Sequence, residues 1–303
     1  MKQALFGNLS PFSRLVFAIA LTFSCFIIVF FAALLIAMPV FDLNLTGTLQ
    51  ILNQPDNPKG LALLKYFQVT QSFGLFIIPA LLLGYLFEQN SWKYLHAKSA
   101  GNAYLYLFVF LLMFLSLPFI NWLVDINEMM KLPASLKGIE DWMKNAEEQA
   151  GKLTETFLSG KSFGNFMFNI FMIGILPAVG EEFMFRGLIQ RLLKDWLKNI
   201  HVAIFITAFL FGAMHLQFYG LLPRMILGVI FGYLFYWSGS IWVPVFAHFV
   251  NNSGAIIVSY LTNLGLISQK YQDFGSTGNV FLIILSMLMT VSCLFMVYRR
   301  KPL

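Results

Sequence analysis

Charge is what this chain has least of. Of its 303 residues only 11% are Asp, Glu, Lys or Arg, against 58% hydrophobic, where a soluble domain carries about a quarter charged residues. So few polar groups cannot cover a water-facing surface, and the mean hydropathy of +0.74 argues against a soluble enzyme. Cysteine is nearly absent. Cys25 and Cys293 lie inside apolar segments at opposite ends of the chain, which argues against a disulfide framework and offers no metal-binding cluster. There is no H-E-x-x-H pair, no G-x-S-x-G context for a nucleophilic serine such as Ser253, and no pair of aspartates within apolar helices. Internal repeats, low-complexity tracts and a separate soluble domain are also missing. The formal net charge is +6, but the basic residues form no stripe, so nucleic acid is not an expected partner.

What the chain has instead is apolar runs of about 20 residues, enough to cross a bilayer as a helix. They run from Leu15 to Val40, Leu61 to Phe87, Ala103 to Leu123, Phe166 to Trp196, His201 to Leu216, Leu221 to Trp237, Ile241 to Leu261 and Val280 to Tyr298. The predicted fold is all-α, a multi-pass transmembrane bundle of about eight membrane helices. The first run is longer than the ~7–15 apolar residues of a cleaved leader. Lys2, the Lys93–Lys98 loop, the Arg191/Lys194/Lys198 turn and Arg299-Arg300-Lys301 share one face. The positive-inside bias makes that face cytoplasmic, with both termini inside. Three parts are expected: N-terminal membrane helices over 1–164, a core over 165–263, and a loop with the last membrane helix over 264–303. Within the first, residues 133–158 space Ile139, Trp142, Met143 and Ala146 at helical intervals, as an amphipathic helix on the outer surface does; a soluble helix packed on the loop fits the same pattern.

Ionisable residues inside apolar segments mark function by default, and here they gather in the C-terminal half: Glu181, Glu182, Arg186, His215, Arg224 and His248, with Asn252 beside them. The first three runs offer only scattered cases such as Lys65 and Gln68. Glu182 and Arg186 are four apart and can pair on one helical face. Glu181, one residue earlier, points roughly 100° away and lacks that partner. The fourth and fifth runs form a hairpin about a turn near Lys198, and Glu181 and His215 are nearly equidistant from it, so they should meet. His248 and Asn252 share a face and could donate to a developing oxyanion or bond between helices. By residue count His248 lies about two helical turns from His215 in depth.

These residues resemble a known family, the CPBP intramembrane proteases, also called the CAAX prenyl protease or Abi family. EExxxR matches Glu181-Glu182-Phe183-Met184-Phe185-Arg186, FxxxH matches Phe211 to His215, and HxxxN matches His248 to Asn252. The resemblance covers roughly Phe166 to Ser253. It implies an intramembrane endopeptidase with a cavity toward the cytoplasmic side of a cell membrane. Glu181 and His215 would activate water, His248 and Asn252 would stabilise the oxyanion, and Glu182 with Arg186 would give support. The implied partners are the bilayer and a peptide or protein substrate, prenylated or otherwise membrane-bound.

Two hydrolytic routes fit the residue set. In the favoured one Glu181 is the general base and no cofactor is required. In the other, Glu181, His215 and His248 hold zinc as a His₂Glu set with one position left for water. Two other classes remain open: a non-catalytic membrane binding or bacteriocin-immunity protein, and a transporter, since intramembrane charges also line ion pathways.

Overall fold

The computed structural model describes residues 4–100, 103–271 and 274–299. Lys2, Arg300 and Lys301, used above for orientation, lie outside the described residues. Every apolar run is helical, and no strand occurs among the described residues. The first run is α1, Pro11–Val40, capped by Ser10, whose side chain accepts from the Ser13 amide. A short α2, Leu45–Leu52, follows. The second run is α3, Pro58–Glu88, started by Asn57 and Pro58 and ended by Gln89 at φ 59°. The third bends by 42° into α4, Ala103–Leu115, and α5, Leu117–Met129, where Pro118 removes a backbone donor.

The amphipathic stretch is a 3-10 turn, Ala134–Leu136, leading into α6, Lys137–Leu158. It rests on the ends of neighbouring helices through Met143 and Phe157 and leaves Ile139 and Trp142 exposed. Two carboxamides fasten its last turn: Asn169 donates to the Phe157 carbonyl and Asn263 to that of Leu158, at 2.8 and 2.9 Å. They satisfy carbonyls that a helix end leaves without partners.

The core of the bundle is α7, Phe163–Leu197, followed by α8, Ile200–Met214, α9, Leu221–Ser238, and α10, Trp242–Asn263. The α7–α8 hairpin turn has two residues. Lys198, at φ 57°, ends α7, and the Asn199 side chain accepts from the amides of His201 and Val202 to start α8. Gly239 at φ 63° ends α9, and α11, Val280–Arg299, closes the described chain.

Among the described residues five helices are long and apolar enough to cross a membrane, six if α4 and α5 count as one span. The expectation is about eight membrane helices; all eight apolar runs are helical, and two of them fall short as spans. With 15 residues, α8 extends about 22 Å against a hydrocarbon core of about 30 Å. α10 is long enough, but His248, Asn251, Asn252 and Ser253 make it too polar. On α1, Phe23 and Ile28 are 64% and 68% exposed, as expected of side chains turned to lipid rather than water.

α8 and α9 pack closely along their lengths. Gly228 lets the backbones meet: a Cβ there would sit 3.0 Å from both Cα and Cβ of Ala208. Four residues on, Gly232 allows Ile204 and Gln190 equally close, the small-xxx-small pattern of membrane helix contacts. Gly228→Ala should therefore lower stability in detergent by about 1–3 kcal/mol. Gly254→Ala, where a Cβ meets nothing within 4 Å, should leave it unchanged or slightly raised. Equal thermal midpoints for the two variants would contradict this account of the α8–α9 contact.

Candidate active site

α7 is not a uniform α-helix. Two π-helical turns, Ile170–Ile175 and Phe183–Ile189, enclose the α-helical stretch Leu176–Glu182 that carries both glutamates. A third, Phe73–Ile77, interrupts α3 directly opposite. Each accommodates one extra residue in a widened turn. Proline accounts for two of them. Pro177 and Pro79 have no N–H for the carbonyl four residues back, and the helix widens just before each. The freed carbonyl of Ile173 is taken by Asn252, whose Nδ2 donates to it at 3.1 Å.

The buried centre is a chain of charges. Arg186 Nη1 donates to Glu182 Oε1 at 2.8 Å, and the same oxygen accepts from His248 Nδ1 at 2.9 Å. Arg186 Nη2 reaches the Gly228 carbonyl at 3.1 Å, and Gln190 Nε2 that of Gly232 at 3.2 Å. Arg186 and Glu182 are both 0% exposed, so only this geometry compensates their lost hydration. Aromatic faces complete the enclosure. The guanidinium carbon lies 4.5 Å from the Phe211 ring centre and 5.3 Å from that of Phe231, within cation–π range. His248 stacks on Phe231 at 5.3 Å.

Glu181 lies outside this chain, as the helical angle predicts. Its Oε2 has no hydrogen bond among the described residues and sits 4.0 Å from His248 Nε2, a gap that one water can bridge. Glu181 and His215 line one polar chamber of about 210 Å³ with Gln68, Gln71 and Ser72 of α3. His215 follows the last residue of α8 and points Nδ1 at the Phe211 carbonyl, 2.9 Å away. A carbonyl only accepts, so Nδ1 carries the proton and Nε2 keeps its lone pair.

Hairpin counting thus brings Glu181 and His215 together correctly. The two-turn gap between the histidines is filled by Phe211, whose ring meets His215 at 5.4 Å and His248 at 5.8 Å, edge to face. His248 and Asn252 share a helical face; the first bonds Glu182 through Nδ1 and the second the Ile173 carbonyl through one amide hydrogen. Among the described residues no group of three or more His, Cys, Asp or Glu is arranged to hold a metal. His248 gives Nδ1 to Glu182 and leaves Nε2 facing Glu181. Arg224 bonds Gln217 at 2.5 Å rather than the chamber, and His201 bonds Tyr233 at 2.7 Å.

Phe211, Phe231, Gln190 and the α3 glutamines escaped the sequence reading as functional residues. For two of them a signal existed: Phe211 is four residues before His215, and Gln190 four after Arg186, each on the same helical face.

A second cavity, apolar and about 490 Å³, adjoins the chamber. It lies between α1, α3, α7 and α8, and both cavities are lined by Leu75, Phe76 and Met214.

Comparison with known proteins agrees with the motifs. Residues 163–254 match the family model for type II CAAX prenyl endopeptidases, Rce1-like, so the resemblance read from the three motifs is borne out over that segment. From Bacillus subtilis, "Putative membrane peptidase YdiL" is 32% identical over 89 residues, which cover 29% of this chain and 36% of that protein. "Uncharacterized protein YpbD" is 26% identical over 113 residues, 36% of this chain and 53% of that protein. The chain therefore spans about half or less of these relatives. No solved structure matches it.

Two stability measurements check the buried network. Arg186→Ala strands a buried carboxylate and should cost about 3–5 kcal/mol, whereas Glu182→Gln/Arg186→Met should cost clearly less. Equal losses would show that the charges are not what holds the site. Asn252→Ala should lower the thermal midpoint by leaving the Ile173 carbonyl unpaired, and Pro177→Ala added to it should recover part of the loss. An Asn252→Ala variant of full stability would remove this structural role.

Proposed function

We propose that this chain, with its CAAX-endopeptidase-like segment at 163–254, is an intramembrane endopeptidase that cuts membrane-associated or lipidated peptides by general-base catalysis. The observation that carries this reading is the chamber itself: a carboxylate with an unpartnered oxygen and an imidazole with a fixed tautomer line one polar space among apolar helices.

Glu181 takes a proton from water as the oxygen attacks the scissile carbonyl, while His215 Nε2 accepts a hydrogen bond from the same water and orients it. The proton held by Glu181 then passes to the leaving amine. His248, fixed through Nδ1 by Glu182, turns Nε2 toward Glu181, and on this reading it meets the charge that develops on the carbonyl oxygen as an imidazolium, with a proton on each ring nitrogen. Asn252 belongs to the same proposal as the oxyanion side, through the amide hydrogen not given to Ile173. No metal enters the favoured route. The apolar cavity beside the chamber supports a substrate that carries an apolar anchor or membrane segment next to the bond to be cut.

Sidedness is part of the proposal, and two criteria compete. The resemblance turns the chamber to the cytoplasm, whereas His215 lies about 22 Å along α8 from the basic Lys198 turn that the charge bias keeps inside. In sealed inside-out vesicles, a cysteine at Gln217 should react with an impermeant maleimide if the cytoplasmic opening is right, and stay protected if the charge bias rules.

Glu181→Gln and His215→Ala should each reduce cleavage by at least about 10²-fold, read as loss of new N- and C-terminal peptides from membranes that contain the variant. Unchanged turnover in either variant rejects the assignment, and a partner-binding role that survives Glu181→Gln would replace it. Protein stripped of metal with a chelator should keep full activity; loss that zinc restores would move the mechanism to the metal route.

A further inference from the structure

A peptide drawn into hydrocarbon depth leaves its N–H and C=O groups without water, an unfavourable state unless the protein supplies partners. The wall that carries Glu181 and His215 is occupied with the reacting bond. The opposite wall is α3, which contributes Gln68, Gln71 and Ser72 to the chamber. Ser72 is already used, since its hydroxyl donates to the Gln68 carbonyl at 3.1 Å.

The two glutamines differ from most polar residues of membrane helices, which bond a neighbouring helix. Lys65, on the same helix, does so, reaching Asn165 at 2.5 Å. Neither the Gln68 nor the Gln71 carboxamide is hydrogen-bonded within the described residues. They stand three apart on one helical face, about 4.5 Å along the axis. Each offers two N–H donors and a carbonyl acceptor, which are the complements of a peptide unit. Their backbone is well held: Tyr66 bonds the Ala33 carbonyl at 3.0 Å, and the Phe73–Ile77 π turn packs against α7. Gln71 also lines a smaller cleft of about 120 Å³ with Phe26 and Phe30 of α1, which gives the chain a direction of travel.

We propose that Gln68 and Gln71 form a main-chain clamp, a binding site for an extended peptide that enters the chamber past Gln68 and continues by Gln71 toward α1. The clamp recognises backbone amides rather than side chains, so the sequence read-out at these two positions is weak. The proposal rests on the reading that the chamber receives a peptide, and it adds the wall that positions it.

The test separates binding from hydrolysis. Glu181→Gln protein in lipid nanodiscs is titrated with a short fluorescein-labelled peptide of alanine, leucine and glycine, and with the same peptide N-methylated along its backbone. Adding Gln68→Ala and Gln71→Ala should weaken the unmodified peptide about tenfold, while the N-methylated peptide should bind weakly and equally to both proteins. Gln68→Met and Gln71→Met, close in length and apolar, serve if the alanine forms do not fold. The clamp is overturned if the unmodified peptide does not bind, if its affinity is unchanged, or if both peptides lose affinity in the same ratio. Cleavage by the wild type with no such loss rejects the clamp alone. The loss without any cleavage keeps the clamp and rejects hydrolysis.

Discussion

The rest of the site depends on one guanidinium with no access to water. Arg186 stands within the bundle, and its charge is tolerable only where an anion, a carbonyl and aromatic faces meet it together. Glu182 comes from its own helix, the Gly228 carbonyl from α9 and the Phe211 ring from α8. Glu182 then passes the constraint to α10 through His248. Four helices are thereby fixed relative to one another by groups that cannot easily exchange partners. Glu181, next to this anchor and not part of it, gains a defined position without giving up its own proton chemistry.

Much of this was legible in the chain because the rules involved are local or nearly so. Spacing of four paired Glu182 with Arg186, an offset of one residue freed Glu181, and a two-residue turn set Glu181 level with His215. The apolar runs located the helices, but length and polarity then separated spanning helices from α8 and α10. What stayed hidden depended on contacts between distant segments. The Gly228 and Gly232 carbonyls become partners only because α7 and α8 approach α9 at those glycines. The bond of Asn252 to the Ile173 carbonyl depends on Pro177, some 75 residues earlier in the chain. Phe211 had a place in a motif but no role until both histidines were seen against its ring.

The two adjoining cavities suggest how the N-terminal helices serve a site to which they give no catalytic group. α3 walls off the polar chamber on the side away from the motifs, and α1 and α3 together border the apolar space beside it. Leu75, Phe76 and Met214 stand between the polar and the apolar compartment. Separation of this kind lets a bundle hold a polar space without wetting the apolar one beside it.

The π turns of α7 carry a genetic consequence. Each is one residue longer than an α-helix of the same reach requires, so the wide turn absorbs the extra residue and the helix beyond it resumes in register. Loss of a single codon between Ile170 and Ile175 would leave the acid at 181 near its present bearing and press Pro177 against the backbone turn before it. A codon gained between Leu176 and Gly180 has no such slack and would swing the acid roughly 100° about the axis.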